Sequence, residues 1–294
     1  MRLSILDNGH RLRARLFLGA TSKMSRVDSP DIVKMLVYRP DFLTRTLLDL
    51  SATAMRGESY WTAGEREYLA MRTAQRHRCP FCADTHAELT RIAAAGEIDP
   101  DDTASARPEL TAVLDFLDAL SDGAADPGRL RGRGVPDRAI MEALRVRVVW
   151  NVVNRLANAF GYELREGQLH SGTRALHRFG YRFPGFLLAG GARTVDRGDL
   201  VENLRHAVLD GPGHTDPADR KAAATGDSLT EPWSSYTLKV RASSYRVTDA
   251  DMETLAAAGH TQDEIFEMTV AAAVGVALTE YDAGQRALTR SPDT

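Results

Sequence analysis

Apolar positions along this chain recur every three to four residues, as in amphipathic helices, and strict alternation is scarce. Helix starts are predicted at Ser29-Pro30-Asp31 and at Thr62-Ala63-Gly64-Glu65, the second with acids in its first turn. The second helix runs towards His77. Another helix opens at Cys79-Pro80, because proline suits the first helical position, and ends near Gly96. The pattern predicts an all-α fold.

Three longer apolar segments extend this prediction. Helices are expected from Pro108 to about Leu120, from Pro136 to Phe160 with Gly161 as its stop, and from Glu264 to Tyr281. The apolar stretch of 140–160 is interrupted by polar residues, which are Arg145, Arg147, Asn151, Asn154 and Arg155. This composition favours a buried helix of a soluble protein over a membrane span.

A break rich in glycine and proline, Phe179 to Gly191, suggests a domain boundary. We place a first, catalytic domain at residues 1–190 and a second domain at residues 191–294. The second domain resembles the first at a shift of 125 residues without gaps. Under that shift, four residues meet identical partners, and these are Leu130 with Leu255, Gly134 with Gly259, Ile140 with Ile265, and Glu142 with Glu267.

The predicted repeat is degenerate at the positions that matter for chemistry. The same ungapped shift places Leu204, Ala207 and Gly211 opposite Cys79, Cys82 and His86, in that order. The second copy therefore cannot repeat the chemistry of the first with the same residues.

Composition excludes several classes of protein. The 294 residues are 43% hydrophobic and 26% charged, with a net charge of -3 and 7% aromatic residues, so a nucleic-acid-binding module is not expected. The apolar stretch Leu16-Phe17-Leu18 near the N-terminal arginines is too short for a signal peptide. We expect a cytoplasmic protein without a membrane partner.

Candidate chemistry lies at Cys79-Pro80-Phe81-Cys82, which holds both cysteines of the chain. On a helix that begins at Cys79, the two thiols and His86 share one face, and the first turn favours a thiolate. The imidazole of His86 can accept a thiol proton, and Glu67 on the preceding helix can orient it. We favour Cys82 as the attacking thiol because it is nearer His86, although thioredoxin-type enzymes attack with the first cysteine of such a pair.

Two other interpretations of the cysteines remain open, a metal half-site and an inert buried pair. A zinc ion would need Glu67 and His86 as further ligands, and no second Cys/His cluster exists in the sequence. We therefore expect neither a metal nor a bound cofactor.

The residues Trp61, Glu65-Arg66-Glu67 and Cys79 to His86 resemble the carboxymuconolactone decarboxylase and AhpD-like superfamily. Its peroxidase branch carries a Glu-x11-Cys-x2-Cys-x3-His signature, which the spacing from Glu67 to His86 fits. Asn151 to Ala157, followed by Gly161, is similar to a second helix of that family. The resemblance covers about residues 30–185.

The resemblance implies an AhpD-like helical bundle that assembles as a homo-oligomer, a dimer or trimer. It implies a reductase of hydroperoxides or disulfides, recycled by a dithiol protein or a small thiol. Carried over by position, Cys82 is peroxidatic, Cys79 is resolving, and Glu67 and His86 form a proton relay. Phe81 stands where some members have histidine, and decarboxylases of the superfamily lack the cysteine pair.

Two alternative functions remain. The chain could perform non-redox chemistry, such as decarboxylation or a metabolic tailoring reaction, with Glu67 and His86 as acid and base. It could also be a redox-sensing helical protein whose disulfide changes partner binding.

Overall fold

The structure is a computed structural model that describes residues 1–120, 123–188 and 197–290. Within these ranges all regular elements are helical, which confirms the predicted all-α class. The α-helices of the first part are α1 (Ile5–Asn8), α2 (Leu12–Ser25), α3 (Asp31–Tyr38), α4 (Arg45–Arg56), α5 (Ala63–Arg76), α6 (Pro80–Ala94), α7 (Pro108–Leu120), α8 (Gly128–Arg131) and α9 (Asp137–Phe160). Those that follow are α10 (Gln168–Phe179), α11 (Gly185–Leu188), α12 (Leu200–Leu209), α13 (Pro217–Thr225), α14 (Trp233–Ser243), α15 (Asp249–Ala257) and α16 (Gln262–Thr289).

The predicted helix ends agree with the local chemistry that motivated them. Thr62 and Glu65 form a reciprocal capping box at the start of α5. Pro80 occupies the first position of α6, and Gly161 ends α9 in the left-handed conformation at φ 67°. The helix predicted from Glu264 to Tyr281 is longer at both ends in the structure.

The long helices α9 and α16 pack against each other at the centre of the molecule. The stacked rings of Phe160 and Phe266, 5.8 Å apart, belong to one hydrophobic core with residues from both predicted domains. Gly284 of α16 allows this close contact, because a Cβ there would lie 2.6 Å from a methyl of Leu144. The proposed boundary between residues 190 and 191 lies outside the described residues.

Two similar hydrogen bonds relate α9 to α16. Glu142 of α9 accepts a bond from the backbone N–H of Tyr60, at 2.9 Å. Glu267 of α16 accepts the same bond from His214, at 2.7 Å. Each carboxylate thus ties a long helix to the loop before a shorter one. Glu142 and Glu267 of the two long helices are 125 positions apart, which is the predicted shift. Tyr60 and His214 of the two loops are 154 positions apart.

The larger offset also relates the helix pairs before the long helices. Arg66 of α5 donates to the carbonyl of Gly57, and Arg220 of α13 donates to the carbonyl of Gly211. The pair α4–α5 therefore corresponds to α12–α13. The ungapped shift of 125 is wrong for this part of the chain, because the connections between the helices differ in length.

Candidate active site

The site lies where α5 and α6 pack closely. Gly64 permits this, because a Cβ at this position would lie 2.6 Å from the Cα of Ala94 on α6. Glu67 follows Gly64 by three residues and faces the neighbouring helix. Any side chain at position 64 would push α6 away and so separate the groups that the two helices contribute.

Both cysteines lie at the start of α6. Cys79 is the N-cap residue and Cys82 lies in the first turn, as predicted. Each side chain is 2% exposed, and both are free thiols. Burial, and then the neighbouring Cys79 thiol, raises the pKa of Cys82 well above its ordinary value. Burial thus opposes the thiolate that the start of the helix favours.

Glu67 and His86 form a buried pair, with Oε2 of the carboxylate 2.7 Å from Nδ1 of the imidazole. Glu67 is 0% exposed and His86 is 1% exposed. An ionised carboxylate only accepts hydrogen bonds, so Nδ1 of His86 donates to Glu67. This bond fixes the orientation of the imidazole and leaves Nε2 as the nitrogen that can exchange a proton with another group.

Two residues that the sequence did not reveal also bind this carboxylate. Arg56, the last residue of α4, lies 2.5 Å from Oε1 of Glu67. The hydroxyl of Tyr181 donates to Glu67, lying 2.8 Å from Oε1 and 2.9 Å from Oε2. No sequence motif marks either residue, although Tyr181 falls within the break predicted at 179–191.

The protonation of Glu67 follows from these contacts. Burial by itself raises the pKa of Glu67, but the hydrogen bonds and charges of His86 and Arg56 outweigh it, and the pKa lies below its ordinary value. Glu67 is therefore an anion held by three donors. Its oxygens are already occupied, so the carboxylate acts on a thiol only through His86.

Trp150 of α9 covers the pair from the opposite side. Its ring lies 3.9 Å from the ring of His86 and 5.8 Å from that of Tyr181, both in edge contacts. Its indole N–H points to the sulfur of Met55, at 3.2 Å. This apolar packing keeps water from the imidazole and fixes its plane.

The residues 162–188, which contain α10 and α11, cover the same site, and we call this segment the cover. Tyr162 begins it and packs its ring on Phe81, 5.4 Å between centroids. Arg165 anchors it to Asp31, at 2.8 Å. Only Gln168 and Thr173 of α10 are buried, so few buried groups hold this helix in place.

The asparagines and the arginine predicted on α9 form a separate polar network. Asn151 donates to Glu280 of α16 at 2.8 Å, and Arg155 donates to the side chain of Asn151. Arg155 also lies 3.2 Å from the ring of His77. Burial and the arginine charges lower the pKa of His77 well below its ordinary value, so this ring is neutral. The network joins α9 to α16 and does not reach the thiols.

Glu67 and His86 thus meet at the junction of α5 and α6, and both cysteines lie at the start of α6. Across the described ranges, neither ring nitrogen of His86 has a direct hydrogen bond to a thiol. The same ranges contain no group of three or more His, Cys, Asp or Glu side chains that could hold a metal ion. Nor does any helix in them have the length and apolarity needed to cross a membrane.

No protein-family model and no curated protein matches the chain. Among solved structures, the chain is similar to the alkylhydroperoxidase AhpD core of an uncharacterized peroxidase-related protein from Ralstonia eutropha JMP134. The identity is 21% and the TM-score is 0.45, over 54% of this chain and 88% of that one.

Proposed function

We propose that the chain is an AhpD-like thiol reductase of hydroperoxides, or of disulfides, that cycles Cys79 and Cys82 between dithiol and disulfide. The observation that carries the proposal is the buried Glu67–His86 pair, 2.7 Å apart, whose imidazole lies on the helix that also holds both thiols. A buried, polarised imidazole beside two thiols of the same helix turn is suited to thiol deprotonation.

In the proposed reaction, Nε2 of His86 takes the proton of Cys82, directly or through a water. The Cys82 sulfur attacks the terminal oxygen of the hydroperoxide, the O–O bond breaks, and the alkoxide leaves with the proton from His86. Cys82 becomes a sulfenic acid. The Cys79 thiol then attacks that sulfur, water leaves, and a disulfide forms.

An external dithiol protein or small thiol restores the two thiols, so the proposal includes no bound cofactor. The raised pKa of Cys82 means that the resting thiol is protonated, and its reaction depends on His86 rather than on a preformed thiolate. Since each cysteine is 2% exposed, substrate reaches the thiols only after a local opening of the structure. We also propose a cytoplasmic homo-oligomer, a dimer or trimer, with no nucleic-acid partner.

The test is a thiol count by mass spectrometry before and after one equivalent of cumene hydroperoxide. Wild-type protein should lose both thiols and form a Cys79–Cys82 disulfide. Cys79→Ser should stop at the sulfenic acid, which dimedone traps. Cys82→Ser should keep its remaining thiol, and peroxide-driven oxidation of that variant at the wild-type rate would refute the proposal.

A second candidate is acid–base chemistry by Glu67 and His86 without thiol turnover. The burial of both thiols and the raised pKa of Cys82 favour it. Wild-type thiols that survive excess cumene hydroperoxide in the native protein, but not in urea, would support this candidate over the first.

A further inference from the structure

The hydroxyl of Tyr162 is a buried polar group without a hydrogen-bond partner within the described part of the chain. Tyr162 as a whole is 8% exposed. A buried hydroxyl without a partner costs about 1–3 kcal/mol of stability. Retention of such a group in a core needs a reason, and binding a ligand is one such reason.

The position of Tyr162 relates it to the thiols. It directly follows Gly161, which ends α9, and its ring packs on Phe81, the residue before Cys82. Burial, followed by the charges of Cys82, Asp31 and Cys79, raises the pKa of Tyr162 well above its ordinary value. The phenol is therefore protonated throughout the neutral range and can donate a hydrogen bond.

The other side-chain donors around the Glu67–His86 pair already have partners within the protein. Arg56 and Tyr181 are both bound to Glu67, and Nδ1 of His86 donates to the same carboxylate. Trp150 directs its N–H to Met55. Tyr162 is thus the buried donor beside the thiols that remains available among these residues.

We propose that Tyr162 is a catalytic residue whose hydroxyl donates a hydrogen bond to the alkoxide oxygen that leaves when Cys82 cleaves the O–O bond. This inference rests on the proposed peroxide reaction. The electron pair of the O–O bond passes to the alkoxide oxygen, which then takes its proton from His86. Tyr162 keeps its own proton and stabilises the negative charge while that charge develops.

The test is Tyr162→Phe, which removes one oxygen and keeps the ring on Phe81. Loss of one hydrogen bond to a charged oxygen should slow single-turnover oxidation of Cys82 by cumene hydroperoxide about 10- to 100-fold. Removal of a hydroxyl without a partner should at the same time raise the Tm, by about 2 °C or more.

Tyr236→Phe is the matched control. Tyr236 lies on α14, far along the sequence from the thiols, and is 3% exposed. Unlike the hydroxyl of Tyr162, its hydroxyl has a partner, the hydroxyl of Thr269 at 2.7 Å. This variant should lower the Tm and leave the peroxide rate unchanged. The two tyrosines are thus expected to show opposite shifts in Tm.

Iodoacetamide alkylation of Cys82 separates a chemical effect from a change in access. The rate of alkylation should be the same in wild type and Tyr162→Phe, because that reaction has no alkoxide to stabilise. An equal slowing of alkylation, an undiminished peroxide rate in Tyr162→Phe, or a fall in its Tm would overturn the assignment. If wild-type thiols do not react with the peroxide at all, the proposed function fails, and the Tm comparison still tests the unpartnered hydroxyl.

Discussion

Gly275 of α16 offers a sharp test of how the second half of the molecule packs. A Cβ built there would lie 2.1 Å from the carbonyl oxygen of Ala224 and 2.3 Å from its Cα, on the neighbouring α13. Cβ contacts in proteins essentially never fall under 3.0 Å. The clashing atoms are backbone, so no side-chain rotation relieves them. Gly275→Ala must therefore separate the two helices by about 1 Å in a close-packed core.

The expected magnitude follows from two opposing effects. Alanine is favoured over glycine inside a helix by about 1 kcal/mol. Overpacking a core costs about 1–3 kcal/mol and occasionally more, and a clash with backbone belongs at the upper end of that range. We expect Gly275→Ala to lower the free energy of unfolding by about 2 kcal/mol, although alanine is the better helix former.

Urea unfolding followed by circular dichroism measures this difference. Gly19→Ala is the matched control, since Gly19 lies on the exposed helix α2 and a Cβ there meets nothing within 4 Å. That variant should be stabilised by up to about 1 kcal/mol. If Gly275→Ala is as stable as Gly19→Ala, the close contact of α13 with α16 is not present in solution.

Three further predictions concern charges in the core and the site. Because the folded-state pKa of Glu67 lies below its ordinary value of 4.5, its ionisation stabilises the fold above that pH, and the contribution is lost as the pH falls. Between about pH 6 and about pH 3, the free energy of unfolding measured in urea should fall more for wild type than for Glu67→Gln. Equal falls in the two proteins would contradict the contacts of this carboxylate. Glu280→Gln removes the nearer of the two carboxylates that face the buried Arg147, the other being Asp118 at 3.5 Å, and should cost about 2 kcal/mol by the same assay. A cost within error of zero would show that the contact between Arg147 and Glu280 is hydrated. Iodoacetamide at pH 8 should modify Cys82 at least about tenfold more slowly in the native protein than in urea, because burial raises the pKa of this thiol. Equal rates of modification would mean that the thiol is exposed in the native protein.

Local signals in the sequence were enough to place the helices of the site. Thr62 with Glu65, Pro80 and Gly161 each set a helix end through contacts within a few residues, and these ends are where the sequence predicts them. The meeting of Glu67 with His86 also follows from short-range geometry, because both lie on consecutive helices joined by a tight turn.

What the sequence did not reveal depends on contacts between distant segments. Arg56 and Tyr181 reach Glu67 from α4 and from the cover, and neither lies in a pattern that marks a site. The burial of Cys82, which opposes the thiolate favoured by the helix start, could not be predicted either, because a helix start is a local property whereas burial depends on the whole fold. An alignment of the repeat without gaps also assumes that the connections between its helices have equal lengths. It therefore could not predict that the connection after α13 differs in length from the one after α5.

Corresponding positions of the helix pairs α4–α5 and α12–α13 form a salt bridge in each pair, but the acidic and basic residues are exchanged. Arg56 pairs with Glu67 in the first half, and at the corresponding positions Asp210 pairs with Lys221, 2.7 Å apart, in the second. In the first pair Glu67 is fully buried and also binds the imidazole, whereas both side chains of the second pair are exposed to solvent.

This reversal means that the two halves are not interchangeable, so an exchange of α13 for α5 between them would set like charges against each other in both places. Because both halves belong to one polypeptide, their association is intramolecular and does not weaken on dilution. Covalent linkage thus allows the half without the Glu67–His86 pair to support its neighbour at any protein concentration, and to change its sequence without loss of the site.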